Sequence, residues 1–107
     1  MTEREKAQVE LCKKWINEFT IPTVNFRHKR TSYSYKHLVE RYYKTYISNL
    51  AFIVAVKELN FESLPEAPHG HTSVFKFRLA PNYIGQKYFE YNEPGDVLKM
   101  LENEKQY

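Results

Sequence analysis

The length, composition and charge of the chain limit what it can be. Its 107 residues match the commonest size of one domain, and such a chain can bury a modest core. A single cysteine excludes an internal disulfide, and three glycines argue against glycine-rich phosphate loops. The net charge of +3 is too small to identify a partner by itself.

The N-terminal segment is predicted to be a helix. Thr2 and Glu5 have the spacing of a capping box, in which each side chain accepts a hydrogen bond from the backbone of the other residue. Apolar residues follow at helical spacing and predict one buried stripe. They are Ala7, Leu11, Cys12, Trp15, Ile16 and Phe19. Pro22 ends this segment, because the residue before a proline favours an extended conformation.

A basic segment and a second helix come next. Residues 23–32 are predicted to form a loop or short strand, and Ser34 is a suitable N-cap for the helix after it. The predicted buried stripe of this helix is Tyr35, Leu38, Val39, Tyr42 and Tyr46. The residues predicted to face away from the core are Lys36, Glu40, Arg41 and Lys44.

Residues 50–60 are predicted to form a third helix, with Ser48 or Asn49 as its cap. The apolar run 51–56 is also compatible with a buried strand, because a short apolar run has no readable period. The length of the segment and its lack of glycine and proline favour the helix.

Strand patterning and turn residues dominate the rest of the chain. Residues 62–70 are predicted to form a loop, and apolar side chains then alternate with Lys76 and Arg78 in a strand over 74–79. A second strand over 87–91 would complete a hairpin, and a short helix is predicted from Pro94 onward. Three helices, a hairpin wing and a C-terminal helix predict an α+β winged helix-turn-helix in one domain, residues 1–107.

Positive charge is concentrated in two blocks that also contain tyrosines. Residues 27–46 carry six basic side chains against Glu40 alone, and residues 71–91 carry three against Glu90. These blocks favour phosphate contacts and base stacking, although an ordinary solvated surface is equally compatible with them. The candidate nucleic-acid-binding residues are Arg27, Lys29, Arg30, Tyr33, Lys36, Arg41, Tyr43, Lys44, Lys76, Arg78, Lys87 and Tyr88. Tyr83 is a further candidate for stacking.

The third helix lacks the side chains that read DNA bases. Residues 50–56 contain no Arg, Lys, Asn or Gln, which a conventional duplex repressor needs on this helix. We therefore expect single-stranded DNA as the partner. An apolar helix is also typical of a buried interface, so the alternative is a protein-interaction module that binds a host protein or itself through 50–56.

Other chemistries and locations find little support. His69 and His71 share a loop, but a structural zinc site needs four N or S ligands and the one thiol lies in a core stripe. No catalytic motif is present, so we expect no metal, no cofactor and no enzymatic activity. Residues 1–10 are mostly polar and charged, and the longest apolar run is far shorter than the roughly 20 residues of a membrane span. These features predict a cytoplasmic protein.

The segment SYSYKHLVERYYKTYISNLAFIVA, residues 32–55, is similar to a pattern in short proteins of phages and other bacterial mobile elements. The residues that carry this likeness are Ser34, Tyr35, Lys36, His37, Glu40, Tyr46, Ile47, Ser48 and Asn49. In size and layout the chain also resembles the small winged-helix proteins encoded beside replication genes in staphylococcal cassette elements. That resemblance implies a role with single-stranded DNA in mobile-element replication.

Overall fold

The computed structural model describes residues 1–66 and 71–83. The elements in chain order are α1 (Glu3–Phe19), β1 (Thr20–Arg27), α2 (Ser32–Tyr43), α3 (Asn49–Glu58), β2 (Ser63–Pro65) and β3 (Ser73–Leu79). The three strands form an antiparallel sheet in the order β1–β3–β2, which confirms the α+β class. The predicted second hairpin strand, with Lys87 and Tyr88, and the predicted C-terminal helix lie outside the described residues.

Side-chain caps define where the three helices begin. The capping box of α1 is confirmed, since Thr2 Oγ1 accepts a hydrogen bond from the Glu5 backbone N–H at 3.1 Å. The cap of α2 is Thr31 rather than the predicted Ser34, whose own N–H donates to the Thr31 hydroxyl at 3.3 Å. Ser48 caps α3, and this segment is a helix as predicted rather than a strand.

Strand pairing decides the structure of two segments that flank α2 and α3. The segment 23–32, predicted as a loop or short strand, is a strand as far as Arg27, because β1 pairs with β3 from Thr20 opposite Leu79 to Arg27 opposite Phe75, and residues 28–30 turn after it. The register is irregular between Pro22 and Arg27, so this part of β1 bulges away from its partner. The predicted loop over 62–70 is wrong in part, because β2 within it pairs with the other side of β3.

Aromatic rings fill the core between the helices and the sheet. Trp15 and Phe52 are fully buried, and the ring of Tyr35 stacks on that of Phe52 with 5.5 Å between their centroids. Phe75 and Phe77 of β3 stack on each other at 5.1 Å and contact the same cluster. Much of the aromatic content of the chain therefore serves packing. Aromatic side chains bury large apolar areas and dominate the energetics of a core.

Two tyrosines differ from their predicted positions. Tyr46 was expected in the buried stripe of α2, yet 64% of it is exposed, because the helix ends at Tyr43 and its periodicity no longer applies. Lys44 terminates the helix in a left-handed conformation with φ of 55°, and Ile47 then enters the core instead. Tyr83, a predicted stacking residue, is buried against Trp15 and Phe19.

Within residues 1–66 and 71–83, no helix is both long enough and apolar enough to cross a membrane.

Candidate nucleic-acid interface

A cavity of about 200 Å³ lies where the end of β1, the loop after it and the end of β3 meet. Four basic side chains line it, and they are Arg27, Lys29, Arg30 and Arg78. Tyr35, Leu79 and Pro81 complete the lining, and we call this feature the basic cavity. The pairing of β1 with β3 brings these strands side by side, although Arg27 lies opposite Phe75 rather than Arg78 and the register of β1 shifts before Arg27.

No described acidic side chain neutralises the charge of the basic cavity. Among residues 1–66 and 71–83, no Asp or Glu lines it, and none of its four cations forms a salt bridge. Arg30 Nη1 donates to Ser34 Oγ and Arg78 Nη1 donates to the Leu79 carbonyl, both at 3.4 Å, so neutral groups orient these two guanidiniums. A concave site whose charged lining residues are all cations concentrates positive potential and attracts an anion.

Tyr35 forms the apolar wall of the basic cavity. Only 2% of the residue is exposed, and burial raises the pKa of its phenol to about 12. The positive charges of Arg30 and Arg27 lower the pKa of the phenol, so its hydroxyl lies within electrostatic reach of both. At neutral pH the hydroxyl therefore keeps its proton and can donate a hydrogen bond.

The two predicted cations of β3 have different environments. Arg78 lines the basic cavity, whereas Lys76 does not. The Lys76 ammonium lies 2.7 Å from a Glu62 carboxylate oxygen and 5.0 Å from the centre of the Phe26 ring. The two residues share one face of β3, so their different neighbours follow from their positions along the strand, and Lys76 is already paired.

The remaining candidates of α2 lie at its C-terminal end, away from the lining of the basic cavity. Arg41 and Tyr43 are partly buried, and the exposed Lys44 is the C-cap. The ring of Tyr43 packs edge-on against that of Tyr42, with 4.9 Å between the ring centres, and burial raises the pKa of the Tyr43 phenol. These three residues therefore do not line the basic cavity, although Arg41 and Arg30 both lie within electrostatic reach of the Tyr83 phenol.

Lys36 contradicts its predicted role on the outer face of α2. Only 6% of it is exposed, and its ammonium lies 2.8 Å from Glu40 Oε1. The ammonium also lies 5.0 Å from the ring centre of Tyr33 and 5.2 Å from that of Tyr46. A lysine paired and covered in this way is a poor phosphate contact, because its charge is already satisfied.

Tyr33 and Tyr46, whose rings lie beside the Lys36 ammonium, have exposed fractions of 52% and 64%. The His37 ring contacts Tyr33 at 4.5 Å and its Nδ1 lies 3.2 Å from Glu40 Oε1. We call Tyr33, Lys36, His37 and Tyr46 the tyrosine cluster. The sequence pattern did not predict Tyr46 as a surface residue. Ser48 could have indicated it, because an N-cap at Ser48 requires the preceding helix to end before that residue.

The outer face of α3 is apolar and partly exposed. Leu50 is 57% exposed, and Ile53 and Val54 are half-buried one turn later. Phe52 and Val56 on the opposite face are fully buried. Ile53 and Val54 also contact the edge of the core, and among the described residues the outer side of the helix carries no base-reading group between Leu50 and Val56.

Within the described ranges, no three His, Cys, Asp or Glu side chains are grouped as metal ligands would be, and His69 lies outside those ranges. Cys12 is fully buried, and burial raises the pKa of its thiol to about 12. No protein-family model, curated protein or solved structure matches the chain. The likeness to winged-helix proteins of mobile elements therefore stays a prediction.

Proposed function

We propose that the chain is a non-enzymatic winged-helix protein of the cytoplasm that binds nucleic acid, preferentially single-stranded DNA, and serves a mobile element during replication. The observation that carries the proposal is the basic cavity, in which four cations converge and no acid of the described residues lies among them. Phosphate is the anion that every nucleic acid presents, and cation contacts to it supply most of the sequence-independent affinity.

The element order supports the winged-helix part of the proposal. A helix, a strand, two helices and then two strands follow one another, and the sheet order is β1–β3–β2. Residues 44–48 form the short connection that a helix-turn-helix needs between α2 and α3. The described strands β2 and β3 pair antiparallel as a hairpin after α3, which is where a wing is expected, and the predicted second hairpin strand after β3 stays a prediction.

The preference for single strands rests on the exposed side chains. The outer face of α3 has no group that reads a base edge, whereas Tyr33 and Tyr46 present exposed rings. Aromatic rings stack on unpaired bases, and the bases of a duplex are already stacked on each other.

The proposal is tested by fluorescence anisotropy with labelled oligo-dT and a matched duplex, titrated with salt. We expect tighter binding to oligo-dT and a steep loss of affinity as salt rises. Replacing Arg27, Lys29 and Arg30 together with Gln should reduce the slope of log affinity against log salt by about 2, at about 0.7 per phosphate contact on single strands. The matched control replaces Arg4, Lys6 and Lys14 of α1 with Gln.

An unchanged slope in the cavity variant, or an equal reduction in the α1 control, would remove the basic cavity from the interface. If the protein binds neither oligonucleotide at low salt, the nucleic-acid proposal itself is wrong.

The exposed apolar face of α3 favours a second candidate, a protein-interaction module that binds a host protein or a second copy of the chain. Leu50→Glu tests it, because Leu50 is exposed and the charge would oppose association without entering the core. Phe52 is unsuitable for this purpose since it is fully buried. Light scattering that shows a wild-type dimer and a Leu50→Glu monomer would support this candidate, whereas a wild-type monomer would exclude self-association.

A further inference from the structure

We propose that the basic cavity binds the terminal phosphate monoester of a nucleic-acid strand, so that the protein recognises strand ends. This inference rests on the proposed function and adds the chemical class of its ligand. The cavity geometry distinguishes an end from the interior of a strand in three ways, namely charge, hydrogen bonding and size.

The charge of the cavity matches a monoester better than a diester. Each internal phosphate carries one negative charge, and proteins that follow a strand distribute their cations along a groove. Here four cations from β1, the loop after it and β3 share one cavity of about 200 Å³. A terminal phosphate carries roughly −1.5 to −2 charges at pH 7, so it neutralises more of this cluster than a diester does.

The hydrogen-bonding groups point to the same ligand. A monoester has three strong acceptor oxygens, and an arginine guanidinium donates in a planar fork that fits two of them. Three arginines and Lys29 line the cavity, and Tyr35 adds a hydroxyl. Tyr35 lines the cavity and its phenol keeps its proton at neutral pH, so its hydroxyl can donate to an anion oxygen bound there.

The size of the cavity limits how much of the strand enters. Pockets for whole small-molecule ligands measure roughly 300–1,000 Å³, so a cavity of about 200 Å³ accepts a phosphate with part of its sugar. The sugar and the base beyond that part remain outside the cavity.

The test compares oligo-dT of one length with a 5′-phosphate, a 3′-phosphate or hydroxyls at both ends, each labelled at a position away from the varied end. We expect one phosphorylated form to bind about tenfold more tightly than the hydroxyl form at pH 7.5, as one added charge-assisted hydrogen bond would give. The same ratio should shrink at pH 5.5, because a phosphate monoester takes up its second proton near pH 6.

Two variants assign the preference to the cavity. Arg78→Gln and Tyr35→Phe should each reduce the ratio towards one, and Tyr35→Phe keeps the ring that packs on Phe52. Lys57→Gln on α3 is the control, since Lys57 is exposed and does not line the cavity. Thermal melting of each variant confirms that the fold is retained.

Three outcomes would overturn the inference, and they can be told apart. Equal affinity for all three ends, with salt-dependent binding intact, refutes end recognition and leaves the proposed function standing. A preference that survives in both cavity variants refutes the assignment to the basic cavity. Failure of all three oligonucleotides to bind at low salt overturns the proposed function together with the inference.

Discussion

Replacing Lys36 with methionine should destabilise the fold and leave nucleic-acid affinity unchanged. Lys36 lies inside the tyrosine cluster with its ammonium 2.8 Å from Glu40 Oε1, and only 8% of its side chain is exposed. Methionine keeps the length and the apolar stem of the side chain but removes the charge. Glu40, which is 22% exposed, then loses its nearest cation.

The magnitude follows from how deeply the pair is buried. Removing one partner of a fully buried pair costs roughly 3–5 kcal/mol. Glu40 keeps some access to water and the His37 contact at 3.2 Å, so we expect a smaller loss of about 2 kcal/mol, or a fall of about 10 °C in Tm. The pKa of His37 should rise in this variant, because the Lys36 charge is one of the causes that lower it.

The measurements are urea denaturation, a histidine titration by NMR, and the salt dependence of oligo-dT binding. Lys6→Met is the control, because its pair with Glu3 is exposed at 60% and 93% and should contribute less than about 0.5 kcal/mol. Stability of Lys36→Met equal to that of the control would refute the argument for a buried pair. A reduced salt slope would show that Lys36 contacts phosphate after all.

Three further predictions follow from burial and from shifted pKa values. In urea denaturation, Phe52→Ala should lower the free energy of unfolding by about 3–5 kcal/mol and Leu50→Ala by less than about 1 kcal/mol, because Phe52 is fully buried and Leu50 is 57% exposed. Similar losses in the two variants would contradict the assigned faces of α3. Cys12 should react with iodoacetamide at pH 8 only after unfolding, because a thiol pKa of about 12 instead of 9.0 lowers the thiolate population about a thousandfold. Rapid labelling of the folded protein would contradict this prediction. Burial is the main cause that lowers the pKa of His37, so the neutral imidazole contributes stability above about pH 6.5, and this stability is lost as the pH falls through the lowered pKa. If His37→Gln leaves the pH dependence of unfolding unchanged, His37 is not the source of that dependence.

Several features were predictable because they depend on residues close together in the chain. A capping box needs only Thr2 and Glu5, and Ser48 with an uninterrupted apolar run was enough to place α3. The alternation of phenylalanines with Lys76 identified β3. In each case hydrogen bonds within one helix or the pleat of one strand impose the period, so the pattern is visible without any partner.

The candidate site was predictable in part. The sequence contains both basic blocks, and Arg27, Lys29, Arg30 and Arg78 were all named as phosphate contacts. Their convergence on one cavity was not visible, because it requires β1 to pair with β3 across more than fifty residues of chain. Predicting the basic segment as a loop or short strand left that pairing undetermined.

By itself, the sequence determined the three helices, the strand β3 and the density of positive charge, since local hydrogen bonding and composition set these. Only the tertiary structure decided which charges are available. It encloses Lys36 beside Glu40 and pairs Lys76 with Glu62. It gathers four cations around Tyr35, and they are Arg27, Lys29, Arg30 and Arg78. Tyr46 lies outside and Tyr83 inside for the same reason, because side-chain environment depends on where an element ends and on what packs against it.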